Sequence, residues 1–292
     1  MDKTHLIKWT KPTFEVAKVI EVIHRTLYNF NNRGGIMKKN LEEINERKEI
    51  REARNELVVK HNDLLRKSRY TLSANEQKII IYLISKINTD DKELKEIEIN
   101  ILDFCKVIGI EINGDAYNRV KETIKSLADK SWWLTFTEKK ETLFRWINEA
   151  EIEKGNGTIK LQLSNHLNPY LLELKKNFTK YELINILSLR SKYSIRLYEL
   201  LKSYLWQGGW QVSVKEIREL LETEGKYKEF KDFRKRVLNP AIEEINGYTD
   251  LQIEISTLKR GKSISHLHFK IDEKTGYQMT IDMIMNRNER LK

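Results

Sequence analysis

The residues of this chain best suited to binding a partner form a dense basic cluster on a predicted helix. Between residues 225 and 238, six lysines and arginines stand against two acids, which leaves a local charge of +4. At about 100° per residue, the apolar positions of this stretch share one face and the charged and amide side chains point away. Arginine can donate two hydrogen bonds to guanine, asparagine can pair with adenine, and aspartate can accept from cytosine. The cluster therefore predicts a helix that contacts DNA through Lys228, Lys231, Asp232, Arg234, Lys235, Arg236 and Asn239.

An ordinary solvated helix face is the alternative, and the hairpin that follows is what favours DNA. Its tip, residues 258–263, holds three cations and no acid. We expect Lys259, Arg260 and Lys262 to contact phosphates and to steady the helix in the groove, although lysine and glycine also suit a solubilising turn. Within the helix, Pro240 lacks an amide proton and clashes with the preceding turn. It predicts a kink between a DNA-facing first half and a core-facing second half.

A second, weaker DNA contact is predicted in the first half of the chain. The helix expected near residues 115–130 exposes Asn118, Arg119 and Lys125, but its local charge is only +1. We expect this contact to be weaker or more dependent on sequence than the later one. Near the start of a further helix, Arg190, Lys192 and Arg196 are expected to add contacts to phosphates.

These helices belong to a plan of elements that occurs twice, about 115 residues apart. Each copy has a helix with apolar residues at three-and-four spacing, a short strand, a small amphipathic helix, a recognition helix and a β-hairpin. That order describes a winged helix-turn-helix. The sequence thus predicts an α+β, mainly helical fold: two tandem winged helix-turn-helix domains related by internal duplication. The predicted elements are helices 72–87 and 187–205, strands 96–100 and 210–212, and hairpins 132–165 and 251–271, with Gly155, Gly157 and Gly261 in the turns.

The domain boundaries follow from this plan. We expect a charged helical arm at residues 37–56, a first winged-helix domain at 57–172, a second at 173–272, and a C-terminal tail at 273–292. Residues 33–37, Arg-Gly-Gly-Ile-Met, can be encoded by a ribosome-binding sequence followed by a start codon. Residues 1–36 are therefore expected to be either a translated leader upstream of a true start at Met37 or a disordered appendage.

Composition limits the remaining classes of protein. The 292 residues carry a net charge of +10, which favours a polyanionic partner. A single cysteine, Cys105, excludes an intramolecular disulfide framework and a cysteine-built zinc site, and we expect it to pack in the core. No apolar run approaches the roughly 18 residues of a membrane span. We expect a cytoplasmic protein with no membrane partner, no metal and no cofactor.

Enzyme interpretations have little support in the sequence. His266-Leu267-His268 fits the pattern with which nicking nucleases hold a metal, but the pattern is short and Tyr277 is the only tyrosine after it. The one pair of adjacent aspartates, Asp90-Asp91, lies in a predicted loop, where it does not suit a two-metal site. No phosphate-binding glycine-rich motif occurs, so we expect no ATP hydrolysis and no catalytic residue.

Two adjacent tryptophans begin the predicted first hairpin. Because side chains alternate along a strand, one of Trp132 and Trp133 is expected to point into the core and the other outward. The outward ring could stack on an unpaired base or pack against another domain or a second copy of the chain.

Four blocks of sequence resemble the plasmid replication initiators with paired winged helices. They are Val58 to Leu65, Tyr70 to Ser73 with Glu76 to Lys78, Ser194 to Leu201, and Phe233 to Ile242, and the resemblance covers roughly residues 57–272. It implies a protein that binds direct repeats, called iterons, in a plasmid origin. It also implies local melting of the origin, recruitment of the host replication initiator and helicase machinery, and a monomer–dimer equilibrium in which dimers repress their own gene.

The sequence thus favours an initiator of plasmid replication that binds double-stranded origin DNA. A winged-helix transcriptional regulator acting on an operator remains the first alternative. A metal-dependent nicking enzyme remains the second.

Overall fold

The computed structural model describes residues 45–46, 48–137, 139–153, 157–261 and 263–275. Outside the described residues lie the predicted leader, residues 37–44 and 47 of the predicted arm, Gly155, Lys262, and residues 276–292, which include Tyr277. From Ile50 on, the described chain forms one compact unit, and the described residues of the preceding unit, Met1–Glu49, are helical.

The first winged helix follows the predicted order of elements, with further strands before and within it. Helix α2 (Ala74–Ser85) begins at a capping box: Ser73 Oγ accepts from the amide of Glu76 at 3.3 Å, and Glu76 Oε2 accepts from the amide of Ser73 at 2.6 Å. Its apolar residues at three-and-four spacing are buried, as predicted. The elements are β1 (Leu57–His61), α1 (Asn62–Lys67), β2 (Ser68–Arg69), α2 (Ala74–Ser85), β3 (Ile97–Asn100), α3 (Ile101–Ile108), α4 (Ala116–Ala128), β4 (Ser131–Thr137), β5 (Lys140–Arg145), β6 (Ile147–Glu153), β7 (Thr158–Leu163) and α5 (Asn168–Leu171).

The single hairpin predicted over residues 132–165 was wrong, because this stretch forms two hairpins in different sheets. Strands β4 and β5 pair with each other and with β2, whereas β6 and β7 pair with each other and with β3. The change of sheet occurs at Trp146, which is 1% exposed and packs against Trp132 with ring centroids 4.9 Å apart. Burying this ring bends the chain between β5 and β6. The predicted alternation of the two adjacent tryptophans is confirmed, and it is Trp132 that points inward and Trp133 that points outward.

The second winged helix repeats the first without the additional hairpin. Strand β9 (Gly209–Ser213) pairs antiparallel with β11 (Ser263–Glu273), as β3 pairs with β7 in the first copy. This common pairing, together with the common order of helices, confirms the predicted tandem fold. The remaining elements are β8 (Phe178–Glu182), α6 (Leu183–Leu187), α7 (Lys192–Tyr204), β9 (Gly209–Ser213), α8 (Val214–Leu220), α9 (Phe230–Phe233), α10 (Asn239–Tyr248), β10 (Leu251–Arg260) and β11 (Ser263–Glu273).

A buried ion pair joins the two halves of the chain. Strand β1 pairs with β8, and Lys60 Nζ on β1 donates to Glu199 Oε1 on α7 at 2.6 Å. The two side chains are 2% and 0% exposed, and the hydroxyl of Tyr181 on β8 also donates to Glu199. Burial lowers the pKa of Lys60, while the charge and hydrogen bond of Glu199 raise it. The domain boundary between residues 172 and 173 stays a prediction.

The described end of the predicted arm is docked on the first winged helix. Residues 50–54 are helical, and the buried guanidinium of Arg54 donates to the carbonyls of Val107 at 2.9 Å and Lys106 at 2.7 Å. These two carbonyls belong to α3, so Arg54 ties this segment to the first winged helix. Among the described residues, no helix is both long enough and apolar enough to cross a membrane.

Candidate nucleic-acid interface

The basic cluster lies on one continuous helix, residues 230–248, called here the second recognition helix. It consists of α9, a five-residue π turn (Arg234–Leu238) and α10. Phe233, Val237 and Leu238 are buried, which anchors the helix in the core. The side chains expected to face DNA are exposed, apart from a half-buried Arg234: Lys228 just before the helix, then Lys231, Asp232, Lys235, Arg236 and Asn239.

The π turn accommodates Pro240, whereas the sequence predicted a kink there between two halves of the helix. The amide of Asn239 donates to the carbonyl of Arg234, five residues back. A regular helix would bring the proline ring against the carbonyl four residues before it, and the wider turn relieves that clash. The helix therefore continues through the proline.

The loop before this helix is held by Arg218, a residue that the sequence did not indicate. Its Nη1 and Nη2 atoms donate to the carbonyls of Lys226 at 3.0 Å and Tyr227 at 2.8 Å. Its Cζ atom lies 4.4 Å from the ring centroid of Phe233, in α9. Tyr227 has a φ of 51°, a left-handed conformation that is unusual outside glycine. Contacts that depend on such local backbone geometry leave no periodic signal in the sequence.

Strands β10 and β11 with their turn, called here the second wing, present cations at the tip. Lys259 and Arg260 are exposed, and Gly261 supplies the turn with a φ of 65°. The pairing of the two strands shifts register between Leu258 and Lys259, which separates the tip from the body of the sheet. Lys262, the third predicted contact, lies outside the described residues.

The first winged helix presents fewer cations. On α4, called here the first recognition helix, Asn118, Arg119 and Lys125 are exposed. Asn118 Nδ2 donates to Asp115 Oδ1 at 3.2 Å, and Arg119 Nη2 donates to the carbonyl of Glu111 at 2.6 Å. Strands β6 and β7 form the wing of this copy, and its outer strand exposes three glutamates, Glu149, Glu151 and Glu153. Phosphates would be repelled at this first wing and attracted at the second.

The predicted phosphate contact of Arg196 was wrong, because the side chain is 4% exposed. Its guanidinium donates to the carbonyls of Ser68 at 2.9 Å and Leu220 at 3.4 Å, and to the hydroxyl of Tyr70 at 3.2 Å. Every nitrogen of this guanidinium is therefore engaged inside the protein. Arg196 joins the two winged helices and has no surface from which to reach DNA.

Arg190 and Lys192 flank the start of α7, where their DNA contacts stay predictions. Arg190 is exposed, and its amide donates to Glu244 Oε2 at 3.3 Å, as does the amide of Ser191. The ammonium of Lys192 is half-buried and lies 5.0 Å from the ring centroid of Tyr193. Burial lowers the pKa of Lys192, and the charge of Lys226 lowers it further.

His266 and His268 share the solvent-facing side of β11, opposite Ser213 and Gln211 on β9. Over the part of the chain that the structure describes, no group of three or more potential metal-ligating side chains occurs.

Two winged helices in tandem, with a cationic recognition helix and a cationic wing in the second, define a sequence-reading DNA-binding protein of the tandem winged-helix class. Two family profiles match the chain: "Initiator Replication protein, WH1" over residues 57–202 and "Initiator Rep protein, WH2" over residues 213–271. The chain belongs to this initiator replication protein family.

Named relatives agree with that assignment. The chain is 27% identical over 227 residues to a replication initiation protein of Escherichia coli, covering 74% of this chain and 70% of the relative. It is 31% identical over 169 residues to the PI protein of Escherichia coli, covering 50% and 54% of the two chains. A crystal structure of the Pi initiator protein in complex with iteron DNA superposes with a TM-score of 0.62 and 21% identity, over 76% of this chain and 99% of that one. At that identity the superposition establishes the common fold.

Proposed function

We propose that the chain starts plasmid replication by binding iterons in the origin, promoting local opening of the duplex and recruiting host replication proteins. The observation that carries the proposal is the arrangement of the second winged helix. Its recognition helix exposes Asp232, Arg236 and Asn239, and the wing behind that helix exposes Lys259 and Arg260. The similar fold of the Pi initiator protein, crystallised with iteron DNA, supports the same assignment.

In this proposal the second recognition helix enters the major groove and the second wing lies along the phosphates. Arg236, Asn239 and Asp232 offer the donors and acceptors that distinguish base pairs there. Lys259, Arg260 and Lys231 would neutralise phosphates without reading sequence. The tight packing of Phe233 and Val237 fixes the helix against its own core, so that base contacts are made from a rigid support.

The first winged helix would make the smaller contribution to affinity. The acidic outer strand of its wing disfavours phosphate contact, which leaves Asn118, Arg119 and Lys125 on the first recognition helix as its contacts. This division would let one half of the protein dominate binding while the other adjusts to the neighbouring groove.

The proposed partners are double-stranded origin DNA and the host replication initiator and helicase machinery, with the protein in a monomer–dimer equilibrium in the cytoplasm. No catalytic step is assigned to the chain in this scheme. Binding energy would deform the duplex, and strand separation would then depend on the recruited helicase.

Footprinting of the purified protein across its own gene and the upstream region, with and without Mg²⁺, tests the proposal. Regularly spaced protected direct repeats beside an AT-rich stretch are expected. A single protected inverted repeat over the promoter would favour the transcriptional regulator instead, and cleavage that requires Mg²⁺ would favour the nicking enzyme.

A matched pair of variants sharpens the footprint. Arg236→Ala should weaken the protection of the repeats, whereas Lys95→Ala should leave it unchanged. Lys95 is an exposed lysine just before β3, whose first residue, Ile97, pairs with Leu161 at the end of the sheet away from the wing turn. Equal weakening by both variants would mean that general charge, rather than the recognition helix, accounts for binding.

A further inference from the structure

The π turn and Pro240 deprive one main-chain acceptor of its usual helical donors in the middle of the second recognition helix. Along a helix, the carbonyl of Lys235 could accept from the amide of residue 239 in α-helical spacing or from that of residue 240 in π spacing. The amide of Asn239 donates to Arg234 instead, and Pro240 has no amide hydrogen. Within the described helix, the carbonyl oxygen of Lys235 therefore has neither its α-helical nor its π-helical donor.

This carbonyl lies on the face that the proposed function directs toward DNA. A helical carbonyl points toward the C-terminus, along the helix toward the residue four positions later. Lys235, Arg236, Asn239 and Pro240, which surround it, are all exposed. The residues that anchor the helix, Val237 and Leu238 among them, lie on the other side.

The chemistry of such a group is specific. A carbonyl oxygen only accepts, and the major groove offers two exocyclic amines as donors: N4 of cytosine and N6 of adenine. Asp232 could also accept from an amine, but as a flexible charged side chain. The Lys235 carbonyl is fixed by the backbone and is neutral, so it adds an acceptor without repelling the phosphates nearby.

We propose that the carbonyl oxygen of Lys235 reads one exocyclic amine of the bound repeat, and that Pro240 keeps this oxygen available by withholding the competing amide. The inference rests on the proposed function, since it names an additional contact within the same recognition helix. Pro240 then takes part in sequence readout, whereas a proline in a helix would otherwise only bend the helix.

The test removes one amine at a time from a duplex carrying the protected repeat. Purine replaces adenine and 2-pyrimidinone replaces cytosine at each position in turn, and binding is measured by fluorescence anisotropy at fixed salt. Loss of one hydrogen bond should weaken binding of the wild-type protein by about 3- to 10-fold at the position concerned. Asp232→Ala and Asn239→Ala identify which amine-sensitive positions belong to those side chains.

The proposal expects one amine-sensitive position that neither side-chain variant explains. In Pro240→Ala the restored amide lets residue 239 or 240 donate to the Lys235 carbonyl, so sensitivity at that position should disappear. Thermal unfolding of this variant verifies that it remains folded. Lys235→Ala is the matched control: it removes the side chain and retains the carbonyl, so it should lower affinity on all duplexes alike and keep the sensitivity.

The outcomes separate this inference from the function on which it rests. If the repeats are bound but Asp232 and Asn239 account for every sensitive amine, the Lys235 readout is wrong and the initiator proposal stands. If folded Pro240→Ala keeps the complete wild-type profile, the role of Pro240 is wrong. If the protein does not bind the repeats at all, the proposed function fails, and the inference fails with it.

Discussion

Removing the charge of Glu199 should destabilise the protein strongly and make its stability depend on pH. Lys60 Nζ and Glu199 Oε1 lie 2.6 Å apart with both side chains buried. At an effective dielectric constant of about 20, Coulomb's law gives an attraction of about 6 kcal/mol for two charges at this distance. Desolvation of the two ions opposes this gain, so the pair as a whole contributes little. Loss of one partner leaves the desolvation penalty of the remaining buried ion uncompensated, which costs about 3–5 kcal/mol.

We therefore expect Glu199→Gln to lower the free energy of unfolding by about 3–5 kcal/mol at pH 7. Burial lowers the pKa of Lys60, and Glu199 is the group that raises it, so the variant lowers this pKa further. Between the folded and unfolded pKa values the unfolded chain binds one more proton, and stability rises with pH there. The loss in free energy of unfolding caused by Glu199→Gln should be largest below the folded pKa of Lys60. It should shrink as pH rises toward the ordinary pKa of lysine.

Urea unfolding followed by circular dichroism at several pH values between 6 and about 10 measures both effects. Glu182→Gln, which neutralises an exposed glutamate on β8, is the matched control and should change stability by less than about 0.5 kcal/mol. Lys60→Met combined with Glu199→Leu should recover most of the loss, because a buried apolar pair can replace a buried ion pair. A loss below about 1 kcal/mol, or one independent of pH, would refute this account of the pair.

Three further predictions concern the DNA interface and the core. Arg236→Ala should cost about 1–3 kcal/mol of binding and relax the preference at one base pair, measured by anisotropy on single-base variants of the repeat; equal loss on all sequences would make Arg236 a phosphate anchor. Lys259→Ala and Arg260→Ala should weaken binding to all sequences alike and each reduce the slope of log K against log salt by about 1, and a loss confined to one base pair would contradict the role of the wing. Trp132→Ala should destabilise the fold by about 3–5 kcal/mol in urea unfolding, whereas Trp133→Ala, at an exposed position, should change stability by less than about 0.5 kcal/mol; equal effects would contradict the inward and outward orientation.

Periodicity predicted the faces of the helices well, because burial of an apolar stripe is a local property of the sequence. Val237, Leu238 and Ile245 are buried as expected, and Asp232, Arg236 and Asn239 are exposed as expected. The duplication was visible for the same reason: both copies repeat the same spacing of apolar residues and the same order of elements.

Features that depend on distant partners could not be predicted in this way. Arg196 has the type and position of a phosphate contact, but its acceptors are Ser68 and Tyr70, more than a hundred residues earlier in the chain. The change of sheet at Trp146 depends on a ring contact with Trp132. Pro240 predicted an irregular helix at this point, but a proline in a helix is compatible with either a π turn or a kink.

The pairing of β1 with β8 also has a consequence for synthesis of the protein on the ribosome. Lys60 is made 139 residues before its partner Glu199. At roughly 5–20 residues per second, the ribosome needs on the order of 7 to 28 seconds to reach that partner. Until then the nascent chain carries a strand without its neighbour and a lysine without its counter-charge. The contacts of β1 in the first winged helix can therefore form only after β8 and α7, at the start of the second, have been translated.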